Sequence, residues 1–337
     1  MNTTNALPVV LTGDRTTGPL HLGHYAGSLR RRVEIQHDYD QTLLLADAQA
    51  LTDNGHDPQK VRSNVLEVAA DYLAAGIDPG VTTICLQSRL HALSRLTTLY
   101  MNLVTVARLE RNPTVKAEIR QKGMERDIPA GFLCYPVAQA ADITAFRATV
   151  VPCGDDQLAM IEQSNEIVGR INRLAGREIL PRSQAMLSSV TRLPGIDGMA
   201  KASKSLGNAI AMGASRADVS AAVRAMYTDP DHLRVSDPGK VEGNVVFAYL
   251  DAFDPSPDEI ADLKEHYRRG GLGDMVLKRR LDGVLNDLVE PMRERRSALM
   301  SRPDDLLDVV RDGTRKARAI TDAVADEIEE AIGLFRM

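Results

Sequence analysis

Residues 7–25 read LPVVLTGDRTTGPLHLGHY. A short apolar run, LPVVL (7–11), gives way to a turn-rich loop holding Gly13, Gly18 and Pro19. The loop delivers His21 and His24 to a segment that reads as a helix from about Gly23 to Gln36. Strand, glycine loop and helix start in that order make an anion site. Gly13 and Gly18 let backbone approach an anion closely, and the unpaired N–H groups of the first helical turn favour negative charge. The spacing matches neither the GxxxxGK[ST] loop nor the GxGxxG fingerprint. His21 and His24 share a helical face in this reading, and Gly23 between them leaves space for a flat base or a ribose. The same tetrapeptide also fits two surface histidines that cap a helix, or half of a metal site with no third ligand.

Working outward, QTLLLAD (41–47) is a second apolar run. DPQKVRSNVLEVAADYLAAGID (57–78) carries apolar residues at helical spacing and stops at Gly76. VTTICLQS (81–88) is short and β-branched, LSRLTTLYMNLVTVARLER (93–111) is helical, and ATVVPCG (148–154) is a strand entering another Gly-Asp loop. Strands alternating with helices predict an α/β fold, a Rossmann-like parallel sheet that binds ligands beyond the carboxyl ends of its strands. From about residue 206 the strand-like runs stop and helices dominate. The division is therefore an α/β domain over 1–205 and a helical domain over 206–337. In the final segment Ile320, Val324, Ile328, Ala331 and Phe335 fall at helical spacing, and this helix has the option of packing back on the first domain.

The chain has 337 residues, 44% of them hydrophobic and 26% charged, with a net charge of -5. It is long enough for two domains and a sizeable core. The mild acidity excludes a chain that is basic throughout but not a local cationic patch. Three scattered cysteines, Cys85, Cys134 and Cys153, without a CxxC pair argue against a disulfide framework or structural zinc and for a reducing compartment. No secretory leader and no membrane span is read from the sequence.

A second loop, GMAKASKSLGN (198–208), lies at the inferred domain junction. Lys201 and Lys204, with Ser203 and Ser205 beside them, make a cationic, hydrogen-bonding loop suited to phosphates. Alone, either loop is a weak signal, and KASKS by itself reads as a solvated linker. Together, PLHLGHY after the first strand and KASKS at the end of the α/β domain resemble the HIGH and KMSKS signatures of class I aminoacyl-tRNA synthetases. TGDRTTGPLHLGHYAGSL, YPVAQAADI and VVPCGDDQ narrow the resemblance to the tryptophanyl-tRNA synthetase family, with tyrosyl enzymes as near relatives. It covers nearly the whole chain.

The resemblance implies a ligase that activates L-tryptophan with ATP and transfers it to tRNA(Trp), with a helical anticodon-binding domain. It assigns catalysis to His21, His24, Lys201, Ser203 and Lys204. ATP falls to Arg15, Thr16, Thr17, Gly23, His24, Gly154, Asp155, Asp156 and Leu193, together with Lys201, Ala202, Ser203, Lys204 and Ser205. Asp142 would accept the indole N–H, which is sensible chemistry because an indole only donates. Tyr135, Gln139 and Gln157 would surround the α-amino group, and Val151, Cys153 and Leu11 would line the indole pocket. Three residues depart from the family pattern: Gln139 replaces a common methionine, Thr16 a usual proline, and Ala202 the methionine of KMSKS.

Mg²⁺ would enter on ATP, with no protein-bound metal. The family resemblance also implies a cytoplasmic homodimer, with LTTLYMNLVTVARL as one candidate dimer surface. The basic runs SLRRR (28–32), YRRGG (267–271), LKRR (277–280), RERR (293–296) and TRKAR (314–318) are candidate tRNA contacts. Two readings stay open beside this one: a tyrosyl-type enzyme, and a duplicated paralogue that binds the substrates but charges tRNA poorly.

Overall fold

The apolar run at 7–11 forms a strand that continues into the loop. In the computed structural model, which describes residues 7–335 except 125, 189, 191, 192, 200 and 205, β1 spans Val9–Asp14. With β2 (Asp40–Leu45), β3 (Thr82–Leu86), β4 (Val150–Cys153) and β5 (Gln184–Leu187) it makes a parallel sheet in the order β3-β2-β1-β4-β5. After its first residue, β2 is buried at every position, as expected of a parallel strand covered on both faces. Gly13 is opposite Leu44 in this ladder, and a Cβ there would meet the Leu44 carbonyl oxygen at 2.2 Å. Its missing side chain is thus taken up by the close approach of β2, not left free for an anion.

The strand order reverses between β1 and β4, the switch point where open α/β sheets bind ligands. Val10–Val150 is the one pair that the β1–β4 register records. Further along, the Pro152 carbonyl accepts from the Thr12 hydroxyl at 3.0 Å and the Ser28 hydroxyl at 3.2 Å instead. Side chains, not ladder bonds, join the sheet halves at this end.

Helices follow their caps. Asp57 accepts from Lys60 N, Pro58 takes the first turn, and Gly76 at φ 110° ends the helix Pro58–Ala75. The expected single helix over 93–111 is instead two, His91–Met101 and Val106–Glu110. The break is local: Asn102 closes the first helix and the Thr105 side chain accepts from Arg108 N to start the second.

Past residue 206 the described elements are helices: Arg216–Ala225, Val245–Phe253, Pro257–Arg269, Asp274–Met300 and Pro303–Ala331. Val219, Val223, Phe247, Leu250, Leu277, Leu281 and Leu285 share a core that also takes Leu22, Leu193 and Ile210. The last helix packs differently. Its Ala317, Val324, Ala325 and Ile328 join the core under the sheet, and the Thr314 hydroxyl accepts from Leu86 N on edge strand β3 at 3.0 Å. That contact covers an otherwise open sheet edge. Ile320 and Phe335 are exposed, so the buried stripe is set by Val310, Gly313, Ala317, Val324 and Ile328 and not by the full spacing expected from sequence.

Gly313 is what lets this helix approach. A Cβ there would meet the Ile84 carbonyl oxygen at 2.0 Å. Gly313→Ala is expected to destabilise the fold by about 1–3 kcal/mol despite alanine's better helix propensity, read as a lower urea midpoint.

Candidate active site

The two histidines do not share a helix face. His21 is the N-cap: its Nδ1 accepts from Gly23 N at 3.1 Å, while His24 Nδ1 accepts from His21 N at 3.3 Å. The rings sit 3.9 Å apart, tilted by 51°. The pair does cap the helix, but His21 is buried, not on the surface. Nor is the space beside Gly23 open, since a Cβ there would meet the His21 ring at 2.8 Å.

Both Nδ1 atoms accept backbone protons, so in the neutral rings the remaining proton is on Nε2. Burial, then Lys204 and Lys201, pushes the His21 pKa down to about 4. Burial, then His21, holds His24 well below its ordinary value. At neutral pH the two rings are therefore uncharged Nε2–H donors.

The second loop lies directly against the first. Lys204 Nζ donates to the Gly18 carbonyl at 2.5 Å, and a Cβ on Gly18, whose φ is 153°, would meet Lys204 Cδ at 3.1 Å. Leu22 N donates to Ile210 O at 2.9 Å and Met212 N to Leu20 O at 3.0 Å, which zips the helix start to the strand-like segment after KASKS. A Cβ on Gly23 would rest 3.5 Å from that of buried Ala202, so alanine fits here. Burial pushes the Lys204 pKa down to about 8, partly offset by Asp14 and Asp71. Lys201 reaches Asp156 at 3.7 Å, both side chains about half exposed.

Around this junction the other expected residues are spread over several elements. Tyr135, Gln139 and Asp142 recur along one face of the helix Ala130–Ala145. Gln139 Nε2 donates to Gln157 Oε1 at 3.3 Å. Leu11, Val151 and Cys153 are buried in one core cluster with Ala140 and Ala141. Gly154 caps the turn Asp155–Gln157 that opens the helix Leu158–Leu174, with Asp155 and Asp156 exposed. Leu193 is buried in the helical core, and its carbonyl accepts from Ala202 N at 3.0 Å. Ser203 N donates to Asn208 Oδ1 at 2.8 Å. Thr16 Oγ1 is buried with no hydrogen-bond partner among the described residues, and Thr17 N donates to Arg15 O. Arg15 itself turns to Asp53 at 3.2 Å, where Lys122 also pairs. Ser205 lies outside the described residues. Among the described residues no group of three or more His, Cys, Asp or Glu could hold a metal ion.

Several supporting residues escape a sequence reading. Asp14 accepts from Arg32 at 2.6 Å and from the Tyr72 hydroxyl at 2.9 Å. Burial opposes its charge, but Arg32, His24 and Tyr72 outweigh that and hold the carboxyl well below the usual range. Asp71 accepts from Leu20 N at 2.5 Å and from Arg296 at 2.7 Å, tying the loop to the helix Asp274–Met300. Asn208 braces the KASKS loop, donating to both oxygens of Asp197. Gln87 donates to both oxygens of Asp142, at 3.0 and 2.8 Å.

The geometry joins a histidine-bearing strand–helix junction to a lysine-bearing loop at the carboxyl edge of a parallel sheet. The family profile of tRNA synthetases class I (W and Y) matches residues 3–290. The chain belongs to this family. It is 52% identical to the tryptophan–tRNA ligase of Clostridium longisporum over 98% of each chain. It is 49% identical to that of Lactococcus lactis subsp. lactis over 97% of this chain and 98% of the relative. The crystal structure of tryptophanyl-tRNA synthetase from Campylobacter jejuni, complexed with ADP and tryptophan, aligns with a TM-score of 0.81 and 30% identity. That alignment covers 96% of this synthetase and 99% of the other chain. The Rossmann-like class I fold read from the sequence is the fold observed, with its parallel sheet and following helices.

Some arginines of the basic runs pair with carboxylates of this synthetase. Arg32 is buried on Asp14, Arg268 pairs with Glu242 and Glu265, Arg280 with Asp254 and Glu259, Arg296 with Asp71 and Glu67, and Arg315 with Asp312. Arg32 and Arg296 are thereby committed to the fold, while the pairs of Arg268 and Arg315 lie in solvent and leave those side chains at the surface.

Proposed function

We propose that the chain is a tryptophan–tRNA ligase: it activates L-tryptophan with ATP and transfers the aminoacyl group to tRNA(Trp). The observation that carries this reading is the near-identical length and roughly half-identical sequence shared with curated ligases of that specificity. The junction geometry supplies the chemistry.

The tryptophan carboxylate attacks the α-phosphorus of ATP in line. The bond from that phosphorus to the bridging oxygen of the leaving group breaks, giving tryptophanyl-adenylate and pyrophosphate. The carboxylate is already ionised, so no general base is needed, and catalysis reduces to positioning and charge stabilisation. Neutral His21 and His24 offer Nε2–H donors to phosphate and nucleotide, and Lys201 and Lys204 supply the positive charge. Ser203, Thr16, Thr17 and Arg15 add polar contacts, with Arg15 leaving Asp53 to do so. Gly154, Asp155 and Asp156 face the adenosine side, with Leu193 below it. ATP enters as its Mg²⁺ complex, phosphates and water holding the ion. A tRNA ribose hydroxyl then takes the acyl group and AMP leaves. The helical part after residue 206 is the anticodon-reading portion in this account.

On the amino-acid side, Asp142 accepts the indole N–H, Leu11, Val151 and Cys153 enclose the ring, and Tyr135, Gln139 and Gln157 meet the ammonium. Burial raises the Asp142 pKa to about 7, against the lowering contact from Gln87. A carboxylate accepts more strongly than the neutral acid. The KM for tryptophan is therefore expected to fall as pH rises through about 7, with no such trend in the KM for ATP. A flat tryptophan profile from pH 6 to pH 8 would contradict the assignment.

The exposed side chains Met101, Val106 and Leu174, with Leu103 beside Leu174 in a shallow groove, support a homodimer through this face. We place the enzyme in the cytoplasm, where its tRNA is. The whole reading is tested by ATP–pyrophosphate exchange with tryptophan and tyrosine, then tRNA charging. Tryptophan-dependent exchange followed by charging is the expected result. Exchange with tyrosine at equal efficiency, or no charging, would overturn it.

A further inference from the structure

We infer that Gln87 is a positioning residue for tryptophan selectivity: its side-chain amide, locked between the Gln49 backbone and the Asp142 carboxyl group, aims Asp142 as the acceptor of the indole N–H. The inference rests on the function proposed above.

Three contacts carry it. Gln87 Oε1 accepts from Gln49 N at 2.9 Å. That N–H is in the first turn of the helix Asp47–Asn54, whose N-cap position, Ala46, offers no side-chain oxygen. Gln87 thus caps this helix from a distance, and the cap decides which end of its amide points which way. With the oxygen committed, Nε2 must face Asp142, and it donates to both carboxylate oxygens at 3.0 and 2.8 Å. Gln87 and Asp142 are both buried, so neither has bulk water as a substitute partner. The segment is pinned further by Ser88 N, which donates to Asp47 Oδ1 at 2.9 Å. Asp142 is therefore aimed by a residue 55 positions away in sequence.

A carboxylate has about four acceptor directions, and one NH₂ group does not fill them. The remaining lone pairs are free for an indole N–H. The same NH₂ opposes the desolvation that favours the neutral acid. Without it, the Asp142 pKa would rise further, and the hydroxyl hydrogen of the neutral acid would compete with the indole donor at neutral pH.

Two variants and one substrate analogue test this. Gln87→Glu keeps size and the Gln49 contact but replaces the amide donor with a carboxyl group that shares a proton with Asp142; Gln87→Met removes both contacts and adds no titrating group. Benzothienyl-alanine carries sulfur in place of the indole N–H. In pyrophosphate exchange at pH 7, Gln87→Glu is expected to raise the tryptophan KM about 10–100-fold and change kcat by less than about 3-fold. The KM for benzothienyl-alanine should move less than about 3-fold. In Gln87→Met the pH at which the tryptophan KM falls should move upward by at least about one unit. Equal losses with both substrates, losses confined to kcat, or an unmoved pH profile would overturn the inference. Wild-type enzyme that fails to exchange with tryptophan would instead overturn the proposed function, so the two failures are distinguishable.

Discussion

Lys204→Ala is expected to slow tryptophanyl-adenylate formation by about 10²–10³-fold while changing ATP affinity by less than about 10-fold. Lys204 is held by the Gly18 carbonyl in a partly dry setting that pushes its pKa down to about 8. A desolvated ammonium interacts more strongly with charge that develops nearby than a hydrated one does. Most of that gain comes when negative charge builds on the departing pyrophosphate, so it appears in the rate and not in ground-state binding. Single-turnover adenylation beside equilibrium ATP binding separates the two. Equal losses in both would mean that Lys204 grips ATP uniformly. Lys204→Arg is not expected to restore the rate, because the larger planar fork cannot occupy the slot against Gly18. In the free enzyme the ammonium is lost as pH rises through about 8, which sets an alkaline limit on activation.

Asp142→Ala is expected to reduce the preference for tryptophan over phenylalanine by about 10³–10⁴-fold, through loss of tryptophan kcat/KM together with a gain for phenylalanine. A site built to satisfy a donor rejects substrates lacking it because its buried acceptor is left unpaired. Removing Asp142 removes that mismatch. The fold should survive the change. The folded pKa of Asp142, about 7, lies above the ordinary 3.8, so its burial weakens the wild-type fold increasingly as pH climbs from about 4 to about 7. The variant should lack that part of the pH dependence. Competition between the two amino acids in pyrophosphate exchange, with urea unfolding at pH 5 and pH 8, checks both halves. Retained discrimination would move the indole acceptor to another residue.

Four of the five strands were legible because each is a short apolar run bounded by turn residues, and parallel order follows from the helices between them; edge strand β5, QAML with no buried position, carries no such run. The first loop was legible because its glycines and histidines follow directly on a strand end, and the second because its lysines and serines stand at the junction between strand-bearing and purely helical sequence. Local chemistry hid the rest. Nothing in PLHLGHY says that His21 precedes the helix and fills the space beside Gly23, since that depends on a cap only coordinates reveal. Asn102 and Thr105 each read as tolerable inside a helix, yet together they end one and begin the next. The basic runs look alike in sequence, and their carboxylate partners decide which arginines remain for RNA. Asp14 with Arg32 and Tyr72, Asp71 with Arg296, and Asp142 with Gln87 are all pairings across many residues. One sequence carries no signal for such distances. These same pairs aim the residues that the motifs name.

The most direct test is a crystal structure with tryptophan and an unreactive ATP analogue. The account requires the triphosphate between the Gly18–His24 segment and Lys201–Lys204, the indole N–H on Asp142, and the tryptophan carboxylate facing the α-phosphorus. A nucleotide bound away from either segment, or an indole ring turned from Asp142, would contradict it.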